Sequence, residues 1–280
     1  MTEWDAAEYA RRSSLQEAMA EEAQALINLG GSERVLDVGC GDGKITAQIA
    51  ARLSNGTVTG VDSSQDMIAF ASSHFGPTLR PNLRFEVADA RCLPFREEFD
   101  LVVSFNALHW IPDQEAALRS IRSAMKSDGL AQLRLVPAGP RKSLEHVLEE
   151  TRLSPRWARH FRDFQAPYLH LPPEQYRALA ERNGLHVRGI HAQTKAWDFK
   201  SRAAFFAFGS VCFVEWTRRL AEAERPAFIT DVLDRYRSVV ADQPGHENTF
   251  KFYQMDVTLT RSQGEMDLTR DMSHSRTALT

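Results

Sequence analysis

Three aspartates stand where three apolar stretches of this 280-residue sequence run out. Asp37 lies inside VLDVGCGDG (35–43), Asp62 closes TVTGVD (57–62) and Asp89 closes LRFEVAD (83–89). Short β-branched runs bounded by turn residues read as buried strands. The carboxylates therefore fall at strand ends, on the edge where open α/β sheets bind their ligands. Gly39, Gly41 and Gly43 occupy the first strand-to-helix turn, and missing side chains let a ligand lie against the backbone. The spacing is GxGxG, not the GxGxxG of dinucleotide folds, and Asp37 just ahead of it suits a ligand bearing an ammonium group while repelling a pyrophosphate. Asp62 can accept hydrogen bonds from both hydroxyls of a ribose. Asp89 can contact the exocyclic amine of an adenine, with the Ala90 amide facing the ring. Taken singly, each aspartate is as well explained as a helix N-cap or loop residue. Three at successive strand ends are much harder to explain that way.

VLDVGCGDG, the acidic end of TVTGVD and Ala88-Asp89-Ala90 resemble the successive motifs by which class I methyltransferases bind S-adenosylmethionine (SAM), over roughly residues 30 to 137. The resemblance implies an α/β, Rossmann-like fold: a mostly parallel sheet with an antiparallel last strand and an inserted helical cap. It implies SAM as cofactor and no metal. Asp37 with the turn from Gly39 through Cys40 and Gly41 to Gly43 would hold the methionine part, Asp62 the ribose, and Asp89 with Ala90 the adenine. Met67 would pack against the adenine, although as a bare sequence feature it is more often helix core. Ser63 and Asn106 complete the cofactor-binding set.

Cofactor motifs do not reveal the methyl acceptor, so two further segments matter. SFNALHWIPD (104–113) follows the fourth apolar run, and YARRSSLQ (9–16) lies where it can fold over the same edge as a lid. Trp110 and Gln16 offer neutral donors that can orient a carboxylate. A carboxylate is already ionised at pH 7, so positioning and desolvation matter more than a base. An alcohol or amine acceptor would need one, and His109 is the nearest candidate. Both aromatic residues have a plainer reading, Trp110 as core and His109 as a loop residue. The two segments together resemble the juvenile hormone acid and, more loosely, the trans-aconitate carboxyl methyltransferases. That resemblance implies an acceptor carboxylate bound by Gln16 and Trp110 with His109 beside them. The function expected is O-methylation of a small, apolar organic acid. Alternatives are hydroxyl-O-, C- or N-methylation with His109 as base, or a non-catalytic SAM-binding regulatory protein.

The elements that must position these residues follow from periodicity. Residues 4–29 have helical spacing, and helices after the glycine turn, near Gln65–His74 and over 114–125 alternate with apolar runs at 99–108 and 130–137. Strands separated by helices imply parallel βαβ units. Beyond Pro137 the texture becomes helical and charged, broken by prolines. A strand follows over 186–199, then two helices over 201–241 split at Pro226, and an alternating strand at 249–261. The division expected is an N-terminal helical lid (1–29), a SAM-binding core (30–137), a helical cap with one core strand near 186–199 (138–248), the final core strand (249–261) and a flexible tail (262–280). Phe205, Phe206, Phe208, Val211, Phe213 and Trp216 are too many apolar groups for a solvent face. They either line an acceptor pocket or fix the cap to the sheet. A small polyanion would instead need arginines, for which Arg11, Arg12, Arg156, Arg159 and Arg162 are available.

Composition bounds the rest. A net charge of −3 gives no pull toward nucleic acid. Three cysteines without CxxC spacing argue against a disulfide framework or structural zinc. The N-terminus has neither signal nor transit-peptide character, and no apolar run reaches the roughly 18 residues of a membrane span. The expectation is a cytoplasmic protein, monomer or homodimer, acting on a small-molecule carboxylic acid without nucleic acid or membrane insertion.

Overall fold

A computed structural model of the chain describes residues 14–241 and 243–262. Residues 1–13 of the expected lid and 263–280 of the expected tail lie outside the described residues. Seven strands, β1 (Arg34–Val38), β2 (Thr57–Asp62), β3 (Leu83–Val87), β4 (Phe99–Phe105), β5 (Met125–Leu135), β6 (Leu185–Asp198) and β7 (Thr249–Arg261), form one sheet in the order β3-β2-β1-β4-β5-β7-β6. β1 to β5 pair in parallel, while β7 runs antiparallel to both β5 and β6. Parallel neighbours need crossovers, here α2 (Lys44–Ala51), α3 (Gln65–Phe75) and α4 (Gln114–Ala124), with α1 (Ser14–Ala25) ahead of β1. The strand order reverses between β1 and β4, so the loops after these two strands diverge and leave a crevice at the carboxyl edge.

Both sheet faces are covered, which is why the inner strands are apolar on both sides. One face packs Leu36, Val102 and Leu133 under Leu118 and Ile121 of α4. The other packs Val35, Val58 and Val103 under Ile49 and Ala50 of α2 and Ala23 of α1. A third cluster stands apart from the sheet core, and the register explains how it is held. β5 ends at Leu135 opposite Met255, whereas β7 continues as Thr249–Gln254 paired with Gln193–Asp198 of β6. This two-stranded ribbon rises past the carboxyl edge. Phe250, Phe252 and Trp197 on it pack with α5 (Leu144–Arg152), α7 (Arg202–Cys212), α8 (Val214–Thr217) and α9 (Arg225–Val240). The stretch 138–248 is not one cap, because α6 (Pro173–Arg182) sends Tyr176, Leu179 and Ala180 into the sheet core instead.

Three expectations need correction. The strand placed at 130–137 begins at Met125, and Ser127-Asp128-Gly129 lies inside it where the register against β4 jumps between Phe99 and Leu101; an irregularity of this kind absorbs residues that otherwise read as a turn. The run 99–108 stops being a strand at Phe105, because Asn106 adopts φ 56° and residues 108–110 form a 3₁₀ turn. Pro226 does not split the helices: it sits in the first turn of α9, where its missing N–H costs no hydrogen bond. The interruption falls earlier, between α7 and α9. None of the described helices is long and apolar enough to cross a membrane.

Candidate active site

The glycine turn closes against the loop that follows β4. Gly39 has φ 77°, and a Cβ there would sit 2.2 Å from the Ala107 Cβ, so the two loops touch only because position 39 has no side chain. Gly41 is different: with φ 53° and nothing within 4 Å of a would-be Cβ, its backbone faces open space. Asp62 ties this turn to the next one. Its carboxylate accepts from Gly41 N at 3.0 Å and from Ser64 N at 2.9 Å. Ser64 in turn caps α3 by accepting from Met67 N at 3.3 Å. The sequence thus places Asp62, Ser63 and Met67 on one wall through a single strand-to-helix junction.

Asp89 accepts the Arg91 amide at 2.9 Å and takes the Arg91 guanidinium in a bidentate pair, which holds its carboxyl below the usual carboxylate range. Asp37 lies deeper, 2% exposed, and accepts the Thr46 hydroxyl at 2.7 Å. Burial raises its pKa to about 7, the Thr46 hydrogen bond opposing and the neighbouring Asp62 charge adding to the rise.

A cavity of about 450 Å³ runs along the carboxyl edge and under the cap. Gly39, Gly41, Asp62, Ser63, Met67, Asp89, Ala90 and Asn106 line it from the sheet side, and His109 and Trp110 lie further along the same wall. Asp37 and Cys40 are not on the wall; they sit behind the glycine turn, both buried. Gln16 belongs to α1, but its side chain lies outside the described residues.

The far wall comes from residues that sequence reading did not single out, among them Met19, Leu144, Leu148, Phe250 and Phe252, together with Leu15 of the segment read as a lid. Of the six cap residues weighed as pocket lining, Phe208 and Phe213 reach the cavity, while Phe205 and Trp216 are buried in the cap cluster. Arg156 and Arg159 pair with Asp231 and Glu224 away from the wall, and Arg11 and Arg12 lie outside the described residues. Arg91, Glu145 and Glu215 were also missed, and no motif marks the two glutamates, which read as ordinary charges on helix turns.

His109 is 4% exposed, and its pKa lies well below the ordinary value, first through burial and then through the neighbouring His170. The ring is therefore neutral at pH 7. Its Nδ1 faces the Val136 amide at 3.5 Å, which leaves the proton on Nε2. Trp110 packs its ring edge-on to Trp216 at 6.4 Å.

The cradle fits a nucleoside carrying a cationic amino-acid tail. Asn106, held at φ 56° by its amide bonding to the Arg134 carbonyl at 2.8 Å, has a buried Oδ1 without a donor among the described residues. An ammonium group would satisfy it. Two acidic strand ends, a side-chain-free turn and the apolar Met67 accompany it on the same wall.

Residues 35–129 match the methyltransferase domain family. The chain is 36% identical to the trans-aconitate 2-methyltransferase of Deinococcus radiodurans over 53% of this chain and 55% of that one. It is 28% identical to the juvenile hormone acid O-methyltransferase of Bombyx mori over 58% of this chain and 60% of that one. These two matches span less than two thirds of the relative, whereas the trans-aconitate 2-methyltransferase of Shigella dysenteriae, 27% identical, is matched over 89% of this chain and 93% of that one. Among solved structures, phosphoethanolamine N-methyltransferase 2 of Haemonchus contortus in complex with SAM superposes with a TM-score of 0.55 at 18% identity, covering 90% of this chain and 53% of that one. Strand order and glycine turn are those of the class I methyltransferase fold, and the matched domain lies across them. The chain is a SAM-dependent methyltransferase with that fold, similar to the trans-aconitate and juvenile hormone acid methyltransferases.

Proposed function

We propose that this enzyme methylates the carboxylate of a small organic acid with an apolar body. The observation that carries the reading is the pairing, on one cavity, of an apolar far wall with Trp110 and a neutral, buried His109 next to the cofactor residues. Bound SAM supplies a methyl group activated by its sulfonium. The protein's part is to place a nucleophile in line and keep water out. A carboxylate is ionised at neutral pH and needs no base. The Trp110 indole N–H, the Gln16 amide and the His109 Nε2–H would hold its oxygens as neutral donors. Donors of this kind orient a carboxylate without quenching it as an arginine would.

The alternative, in which His109 removes a proton from a hydroxyl, amine or carbon acid, is less well served. The proton on Nε2 makes His109 a donor, and its depressed pKa makes it a weak base. Both relatives' names are those of carboxyl methyltransferases. Between a tricarboxylate and an apolar acid, the wall favours the second. Among the described lining residues Arg91 is the one cation, and Asp89 already holds it.

The test is incubation with methyl-labelled SAM and a panel of acids from aconitate to long-chain and terpenoid acids. Base-labile methyl esters of the apolar acids, lost in Gln16→Ala and reduced in Trp110→Phe, are the expected products. SAM binding without methylation of any acid would move hydroxyl, amine or carbon acceptors ahead.

A further inference from the structure

The acceptor end of the cavity carries two carboxylates that the proposed chemistry does not use. Glu145, in the first turn of α5, and Glu215, in α8, both line the cavity at 9% and 7% exposure. The fold satisfies neither of them fully. Glu145 has no hydrogen-bond donor and no cation paired with it among the described residues; Tyr168, His170 and Cys212 feel its charge without bonding to it. Glu215 pairs through Oε2 with Arg218, while its Oε1 is buried without a donor. A buried carboxylate oxygen without a donor, as Glu215 Oε1 is, leaves hydrogen-bonding capacity unmet, and Glu145 turns unbonded oxygens to the same cavity. The N-terminal field of α5 already favours the charge on Glu145. The unbonded oxygens are available to a ligand that donates to them.

We infer that Glu145, assisted by Glu215, is a subsite for a protonated amine on the acceptor. On the reading that a carboxylate docks at Trp110, the preferred substrate is then an acid whose apolar body also bears an amine, with plain acids accepted less well and polycarboxylic ones least. The ammonium group would bond to Glu145 across a chamber otherwise walled by Leu144, Leu148 and Phe213. A second carboxylate there would face two negative side chains.

Calorimetry with the protein bound to S-adenosylhomocysteine reads this directly. The probes are ω-aminoalkanoic acids of six, eight and ten carbons, the plain acids, the α,ω-diacids and the alkylamines of the same lengths. The expected order is amino acid over plain acid over diacid, with at least about a tenfold gap between amino and plain acid at the best length. Glu145→Gln should narrow that gap to within about threefold, and Glu145→Lys should turn the preference toward the diacid. S-adenosylhomocysteine binding reports that each variant is folded. Equal or tighter binding of the plain acids, an unchanged ratio in Glu145→Gln, or no binding of any amine overturns the inference. The carboxylate reading fails separately: alkylamines that bind in a Glu145-dependent way while no acid binds would remove it and leave the amine subsite standing. Esterification of plain acids in preference to amino acids would do the reverse.

Discussion

At the residue scale Asp37 and His109, both buried, make different predictions about pH. Asp37 holds its proton in the folded protein up to about pH 7, far above its ordinary 3.8. Stability of the cofactor-free protein is therefore unaffected by this group below about pH 3.8 and falls as pH rises from there toward 7. The loss is about 1.4 kcal/mol per unit at most, levelling off above 7. Denaturant melts at pH 5 and pH 8 should show the loss, and Asp37→Asn, which keeps an acceptor for Thr46, should remove most of it. His109 is already neutral well below pH 6.5. Because His109 is already neutral in that range, kcat at saturating SAM should stay flat from pH 6 to 9 by either mechanism; His109→Gln, which keeps a neutral donor but cannot act as a base, should retain turnover with a carboxylate acceptor and lose it if His109 removes a proton. Trp110→Phe should lower kcat/KM by about ten- to a hundredfold without giving the profile a slope. These residues differ in legibility. Asp62 and Asp89 sit on the wall where strand-end reasoning placed them, because a strand end is a local feature. Asp37 read the same way yet lies behind the turn, since alternation within β1 sends its side chain toward Thr46 of α2.

At the element scale the contact between the glycine turn and the loop after β4 is the narrowest point of the site. Gly39→Ala must adopt φ 77° with a Cβ pressed against Ala107, so the loops must separate. S-adenosylhomocysteine affinity should fall at least about tenfold by calorimetry, while far-UV circular dichroism remains that of the parent. The strands and helices of the nucleotide half were readable because each is a contiguous run with its own period and cap. Ser127-Asp128-Gly129 was misread because turn-type residues also occur where a strand is irregular, and only the pairing of β5 with β4 separates the two cases.

At the scale of the whole molecule the cap cluster is distinct from the two clusters that cover the sheet. Trp216 is at its centre, with no exposed surface and its indole N–H donating to Glu149 at 2.8 Å. Trp216→Ala should cost about 3–5 kcal/mol of cap stability. The expected readout is an early thermal transition that S-adenosylhomocysteine shifts less than the main one, because the residues proposed to hold the cofactor lie on the sheet side. A single transition moving as one unit would show that cap and sheet fold together.

The amino-acid sequence by itself determined the cofactor half: strand ends, a glycine turn and capped helices are specified within a few residues of one another, and their chemistry travels with that local order. The chamber proposed for the acceptor was decided only by tertiary structure. Its wall joins Leu15, His109, Glu145, Glu215 and Phe250, positions scattered along the whole chain with no shared period. Whether Phe208 faces the cavity while Phe205 fills the cap depends on how α7 packs against the β6–β7 ribbon. That packing is a property of contacts between distant segments, which no spacing within one segment encodes.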